Sequence, residues 1–404
     1  TMGSLVLLDP AAGTEGEAPL KRLTPEVAFP EIEGWPTTYY ADPWPLSERY
    51  YLTVWSKEGA DVPGPEGWDR WHAVKRPANG MGLYLYDAEI GLELLYRDAQ
   101  IGCFEPMPVQ PRPEPPAVAS LVAWDGPQEG AFLLADVTRG LAGVAPGVIR
   151  ALRIVAVPPK THPVMNRPNM GLTSDDPGKC VLGTVPVEPD GSAYFRVPSG
   201  VMVFFQALDA EGMAVQTMRS SSHVQPGQTL GCIGCHEERT LAPPVRTILA
   251  ARRPPSKLAP GPDGSWPLRF DRLVQPVLDR YCVGCHRPEG PEAKAAKLDL
   301  TPPAAYDTLV SVGKPSLRDH VKGAYARGAS QAGEGAARTS AVLAALGQQE
   351  AHREMQLDDD SRTRLITWMD TYAQRLGSFD EDQERQLAEL RKAMAGLLDE
   401  PHGQ

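Results

Sequence analysis

Cys232-Ile233-Gly234-Cys235-His236 and Cys282-Val283-Gly284-Cys285-His286 are the two stretches on which the reading of this chain turns. Each is C-x-x-C-H, the attachment signal for a c-type haem. The spacing has a chemical reason. Two thiols three positions apart reach the two vinyl groups on one edge of a haem and form thioethers. The adjacent imidazole is then set beneath the ring as an iron ligand. The sequence therefore predicts two covalently attached haem c groups, on Cys232, Cys235, Cys282 and Cys285, with His236 and His286 on the irons. A four-cysteine zinc site is the competing reading. It usually separates its C-x-x-C knuckles by about 15–20 residues, and far more chain intervenes here. Neither motif sits in a βαβ pattern, which disfavours a thioredoxin-like dithiol.

Outward from the motifs, the chain of 404 residues has room for two or three domains. Residues 1–113 read as β-structure, with strands at Ser4–Asp9 and Tyr50–Trp55 and a hairpin formed by Gly82–Asp87 and Leu94–Arg97. A strand, a long loop and a hairpin are what one propeller blade and part of its neighbour supply, with further blades expected upstream. His72 falls in a Trp-rich loop of this part and is read as packed or exposed. Pro106 to Pro116 is a Pro-rich linker. Residues 114–231 carry short strands at Val148–Val157, Cys180–Val185, Ala193–Val197 and Val201–Leu208, a spacing that suggests a sandwich. Residues 232–404 form the third part. It opens with a connector, Leu241–Trp266, whose Arg246, Arg252, Arg253 and Lys257 read either as a solvated linker or as a face for propionates or an acidic redox partner. From Phe270 the period turns helical, and two helices follow Asp358 and a Ser378/Glu381 capping box. The fold class is mixed: an all-β N-terminal part, made of a propeller-blade remnant and a β-sandwich-like middle domain, then an α-helical, cytochrome c-like dihaem domain.

Composition narrows the function classes. A formal net charge of −11 argues against nucleic acid and anionic membrane surfaces as partners. No run of about 18 apolar residues is present, so no membrane span is predicted. Haem attachment of this type takes place outside the cytoplasm. A periplasmic or otherwise extracytoplasmic location is therefore expected, with an export signal in a longer precursor. Cys103 and Cys180, outside the motifs, read either as a disulfide or as two separate thiols. For the sixth position of the first haem, the middle domain holds His162, His223, Met165, Met170, Met213 and Met218. His223 is the best placed, in a turn-rich segment just upstream. Arg219 and Arg239 flank the motif, as propionate partners or as surface arginines.

The run Gly183–Phe195, then Phe204–Asp209, Gln216–Arg219 and Gln225-Pro226-Gly227 before the first motif, resembles the hydrazine synthase α-subunit family. The likeness reaches upstream to Tyr40–Pro43 and Gly82–Leu85 and downstream to Val274-Gln275-Pro276, the second motif and Leu365–Asp370. It implies the C-terminal part of that family's arrangement: last propeller blade, middle domain, dihaem domain. In the family the first haem is catalytic. Its iron is bound by a tyrosine four residues after the motif histidine, which binds zinc instead. Here that position is Thr240, a poor iron ligand, which leaves His236 as the proximal ligand. The family's second haem has two histidines, which implies His286 with His352, Met355 being the alternative.

Two readings of function follow. The first is an extracytoplasmic dihaem c-type module relaying electrons to a redox protein partner or within a larger complex. The second is a haem-iron redox enzyme of the hydrazine-synthase type, acting on a small nitrogen or oxygen species at an open first haem. A third treats the haems as structural staples of a scaffold.

Overall fold

The computed structural model describes residues 2–13, 16–34, 36, 38–56, 80–162, 167–173, 176–235, 247–348, 352 and 355–399. The chain forms two compact units, Thr1–Ala117 and Val118–Gln404.

The first unit holds strands β1 (Met2–Gly3), β2 (Val6–Leu8), β3 (Leu20–Arg22), β4 (Tyr40–Pro45), β5 (Tyr50–Ser56), β6 (Met81–Asp87) and β7 (Gly91–Tyr96), with a short helix α1 (Pro30–Glu33). Its sheet runs β1-β4-β5-β6-β7, and β4 to β7 make a propeller-blade-like antiparallel meander. Inward-facing residues explain the strands. Tyr51, Val54, Met81 and Tyr86 are buried together with Tyr40, and Tyr40 and Tyr86 meet edge to face at 5.8 Å. Arg49 closes the β5–β6 end with a two-pronged bond to Asp87, 2.9 and 2.8 Å. Residues 57–79, with His72, lie outside the described residues.

The second unit opens as a sandwich. Its strands are β8 (Glu129–Leu134), β9 (Ala151–Ala156), β10 (Cys180–Pro186), β11 (Ala193–Pro198), β12 (Val203–Leu208), β13 (Ala214–Thr217) and β14 (Thr229–Cys232). They form sheets ordered β10-β9-β12-β13 and β11-β8-β14. Phe132, Phe195 and Phe205 from β8, β11 and β12 join the two sheets, with ring centroids 5.0 to 5.8 Å apart. Gly183 sits at a bulge in β10 where a Cβ would come within 2.4 Å of the Ala259 carbonyl oxygen. That close approach lets Thr184 and Ala259 exchange backbone bonds of 2.8 and 2.9 Å. The connector is thus docked on the sheet from this point. Leu258 within it is fully buried, and Arg253 pairs with Glu188 at 2.7 Å.

Helices follow: α2 (Phe270–Leu273), α3 (Gln275–Tyr281), α4 (Ala305–Val310), α5 (Leu317–Arg327), α6 (Ala341–Gln348), α7 (Asp359–Asp370) and α8 (Glu381–Ala393). The sandwich and these helices share their cores, across the 231/232 boundary that composition suggests. Val155, Val181 and Phe204 of the sheet pack with Leu273, Leu309 and Trp368, while Leu387 and Met394 of the last helical segment pack into the sandwich. A buried polar lock joins the same layers. Arg153 of β9 donates to Gln206 Oε1 (2.8 Å) and to the Gly212 carbonyl (3.1 Å). Gln206 Nε2 donates to the Asp370 carbonyl (2.7 Å), and the Asp370 carboxylate accepts from the Ala214 and Ala337 amides (2.7 and 2.9 Å) and lies 3.9 Å from Arg153.

Helix α8 begins two residues later than the sequence suggests. Asp380 caps the Gln383 amide at 2.8 Å, while Ser378 instead donates to Glu384. At α7 the cap is Asp358, which accepts from the Ser361 amide (2.7 Å), from the Tyr281 hydroxyl (3.0 Å) and from Arg280 (2.6 Å) at the end of α3.

Two predictions follow from these ties. Arg153→Met should lower unfolding free energy by about 3–5 kcal/mol in urea, since it leaves the Asp370 carboxylate buried without its cation. Hydrogen bonds from Ser361 first, then from Tyr281 with the charge of Arg280, hold the Asp358 carboxyl down at about 2. A depressed carboxyl stabilises the fold above its unfolded value near 3.9, and that contribution is lost as pH falls through about 2. Asp358→Asn should therefore be less stable than wild type at pH 7, with the gap closing between about pH 4 and 2 in urea titrations.

Candidate haem sites

The second motif is a continuation of helix α3. Cys282 donates its amide to the Leu278 carbonyl (2.8 Å), Cys285 to Cys282 (3.1 Å) and His286 to Cys282 (2.9 Å). This one turn puts Cys282, Cys285 and His286 on one side, since positions three and four apart share a helix face. The Tyr281–Asp358 bond anchors the residue just before it. Gly290 then lets the chain fold back, because a Cβ there would lie 2.2 Å from the Cys285 carbonyl oxygen. Cys285 is exposed and Cys282 half-buried. Burial first, and then the neighbouring Cys285, push the Cys282 thiol up to about 11. Redox-active and metal-binding thiols are shifted the opposite way.

His352, sixty-six positions further on, faces this turn. The His286 and His352 ring centroids are 6.1 Å apart and their planes are tilted by 39°. Metal–imidazole bonds of about 2.0 Å on each side, plus about 1.1 Å from each nitrogen to its ring centre, require roughly 6.2 Å. Aromatic pairs also occur at such distances, so orientation decides. His286 Nδ1 lies 3.2 Å from the Ala295 carbonyl oxygen, and His352 Nδ1 lies 3.3 Å from that of Ala345. A carbonyl only accepts, so Nδ1 is the donor in each ring, and in the neutral imidazole that leaves the lone pair on Nε2. Histidines that ligate metals are held in this way. The residues fit a haem bound through both imidazoles. Met355 donates its amide to the His352 carbonyl (3.0 Å), tightening the turn that carries the ring.

The first motif leaves the end of β14. That strand lies parallel to β8 with Cys232 opposite Leu134. The loop after β8 grips the motif: Ala135 and Asp136 donate to the Cys232 and Ile233 carbonyls (2.8 and 3.2 Å), and Cys235 donates to Arg139 (3.2 Å). Cys232 and Cys235 are half-buried against the sandwich core. His236, Arg239 and Thr240 lie outside the described residues. Arg139 was not among the residues singled out from sequence. It is remote from the motif along the chain, and only the β8–β14 pairing reveals its place.

The structure does not bring His223 or Arg219 to this motif. Glu129, at the other end of β8, lies opposite Pro198, whose turn leads into Val203, and Val203 bridges Ser222. The two ends of β8 are roughly 17 Å apart at the usual strand rise. His223 is exposed at the far end from Cys232, with its Nε2 3.5 Å from Gln225. Arg219, at the same end, donates to the Ala324 carbonyl of α5 (3.1 Å). Sequence proximity to the motif misleads for both, because β14 runs the length of the sandwich between them.

Among the described residues, no group of three or more His, Cys, Asp or Glu side chains is arranged to hold a metal ion. Cys103 and Cys180 are free thiols, and Cys180 is wholly buried in the sandwich core. Among the described residues, no helix is long and apolar enough to cross a membrane.

Comparison with known proteins adds to this geometry. None of the curated proteins compared matches the chain. In fold the chain is similar to a chain of Kuenenia stuttgartiensis hydrazine synthase, with TM-score 0.61 and 17% identity over 93% of this chain and 58% of that one. It thus spans 58% of the length of the chain it matches. Residues 147–237, which deliver the first motif, match the hydrazine synthase alpha subunit middle domain, so this segment carries that family's signature.

Proposed function

We propose that residues 118–404 form a dihaem c-type module that relays electrons to a redox partner or between subunits of a larger complex, outside the cytoplasm. The observation that carries this reading is the His286–His352 pair, 6.1 Å between ring centres with both Nδ1 atoms tied to backbone carbonyls. When bound there, a haem supplies one-electron transfer with no open iron position. Cys282 and Cys285 would attach it, and His286 and His352 would ligate its iron. The helical turn and the Tyr281–Asp358 bond keep this geometry fixed, which keeps reorganisation on electron transfer small. At the first motif, Cys232 and Cys235 would hold the first haem, with His236 as a ligand to its iron. Similarity to a domain described as part of an alpha subunit supports other subunits as the partner class.

One observation favours the enzyme reading for the first haem alone. His223, the candidate from sequence for its sixth position, stands at the opposite end of the sandwich. Small nitrogen or oxygen species are the substrate class for an iron left open there.

The relay reading predicts two haems per chain by pyridine haemochrome assay and no carbon monoxide uptake by the reduced second haem. His352→Ala should turn that haem high-spin and make it bind one equivalent of carbon monoxide. An unchanged spectrum in this variant would refute the pair. Carbon monoxide binding by the wild type that persists in Cys282→Ala/Cys285→Ala would place open iron at the first motif and favour the enzyme reading there.

A further inference from the structure

A cleft of about 360 Å³ lies between the Val203 end of the sandwich and helix α5, and neither C-x-x-C-H motif contributes to its lining. We propose that it binds a small organic anion, a carboxylate with an apolar body. Its floor carries Lys179, whose side chain is 4% exposed. Lysine is almost never buried to this degree without partners. Among the described residues its ammonium donates to Asp176 Oδ1 and to the Thr371 carbonyl, both at 3.3 Å, and so uses two of its three protons. Asp176 is engaged in turn, accepting from the Thr173 amide at 3.2 Å. On the rim, Arg219 spends one donor on Ala324, and its remaining donors have no protein partner among the described residues. Among the described lining residues, Lys179 and Arg219 stand against the one carboxylate of Asp176, a local surplus of positive charge inside a chain of formal net charge −11. Val157, Phe204, Met218 and Val321 supply apolar wall, which suits a ligand body rather than a bare ion.

A second feature supports a built site. Tyr372, under the Lys179 ammonium (5.6 Å to the ring), is held at φ +71°, followed by Ala373 at +53°. Helices that end in this conformation normally use glycine or asparagine there. A bulky aromatic kept in that conformation marks a position the surroundings over-determine, as ligand clamps do.

Calorimetric titration of the haem-loaded protein tests the proposal, with benzoate as the probe and inorganic phosphate as the bare-ion control. Benzoate should bind one per chain with Kd on the order of 1 mM or below, and phosphate at least about tenfold more weakly. Arg219→Gln should weaken benzoate by about tenfold or more, and Lys179→Met should abolish its binding. Ser221→Trp, at an exposed rim position, should fill the cleft and abolish binding without removing a charge. Thermal unfolding without ligand should leave Ser221→Trp at the wild-type midpoint and Arg219→Gln within the few degrees that loss of its bond to Ala324 costs, which separates lost binding from lost fold even where Lys179→Met misfolds. Absence of saturation by about 10 mM benzoate, affinity unchanged in Arg219→Gln or Ser221→Trp, or phosphate binding as tightly as benzoate would each overturn the proposal.

Discussion

A backbone carbonyl oxygen has no proton to give, so Ala295 and Ala345 each oblige the imidazole they face to donate from Nδ1. Both rings of the His286–His352 pair are thereby left with the same nitrogen available, and their centres lie 6.1 Å apart, a distance that suits one iron between them. The surrounding structure serves this constraint. The turn after α3 puts two thiols and one imidazole on one side, Gly290 lets the chain double back to present Ala295, and the turn at Met355 holds the second ring.

That arrangement is only as rigid as the frame beneath it. Helices α2 to α7 do not stand apart from the sandwich. They share its core and are joined to it through Arg153, Gln206 and Asp370, all buried. Burial disfavours the charge on both ionic partners, so the lock adds less attraction than its proximity suggests. Its value lies in register. Gln206 reaches the end of α7, and the two carboxylate oxygens of Asp370 accept from β13 and from the chain leading to α6. Sheet, α6 and α7 are thus set against each other beside the segment that carries His352.

The two C-x-x-C-H motifs were legible because the pattern is local: five residues hold the thiols, the imidazole and the spacing. The blade hairpin and the strands Cys180–Val185, Ala193–Val197 and Val201–Leu208 were legible by alternation and turns. Strand β8 was not. Its Glu129-Gly130-Ala131 start has little β character, and Gly130 is small because Val224 and the Gln225 and Gln228 carbonyls crowd it. Helix α5 escaped notice although Ser316 and Asp319 form a capping box and Leu317, Val321 and Ala324 make a buried stripe. Nothing in the sequence marks Arg153, Lys179 and Asp370 as buried; only their neighbours in space show it. His352 rested on family resemblance alone, since nothing within its own segment points back across sixty-six residues to His286. His223 and Arg219 show the reverse error, in which nearness along the chain was taken for nearness in space.

The central claim is that one iron is bound by His286 and His352. The most direct measurement is near-infrared magnetic circular dichroism of the oxidised Cys232→Ala/Cys235→Ala protein, which isolates the second haem. The account predicts a single low-spin charge-transfer band at the energy typical of two imidazole ligands. A band at the lower energy typical of histidine with methionine, pointing to Met355, or a high-spin spectrum, would contradict it.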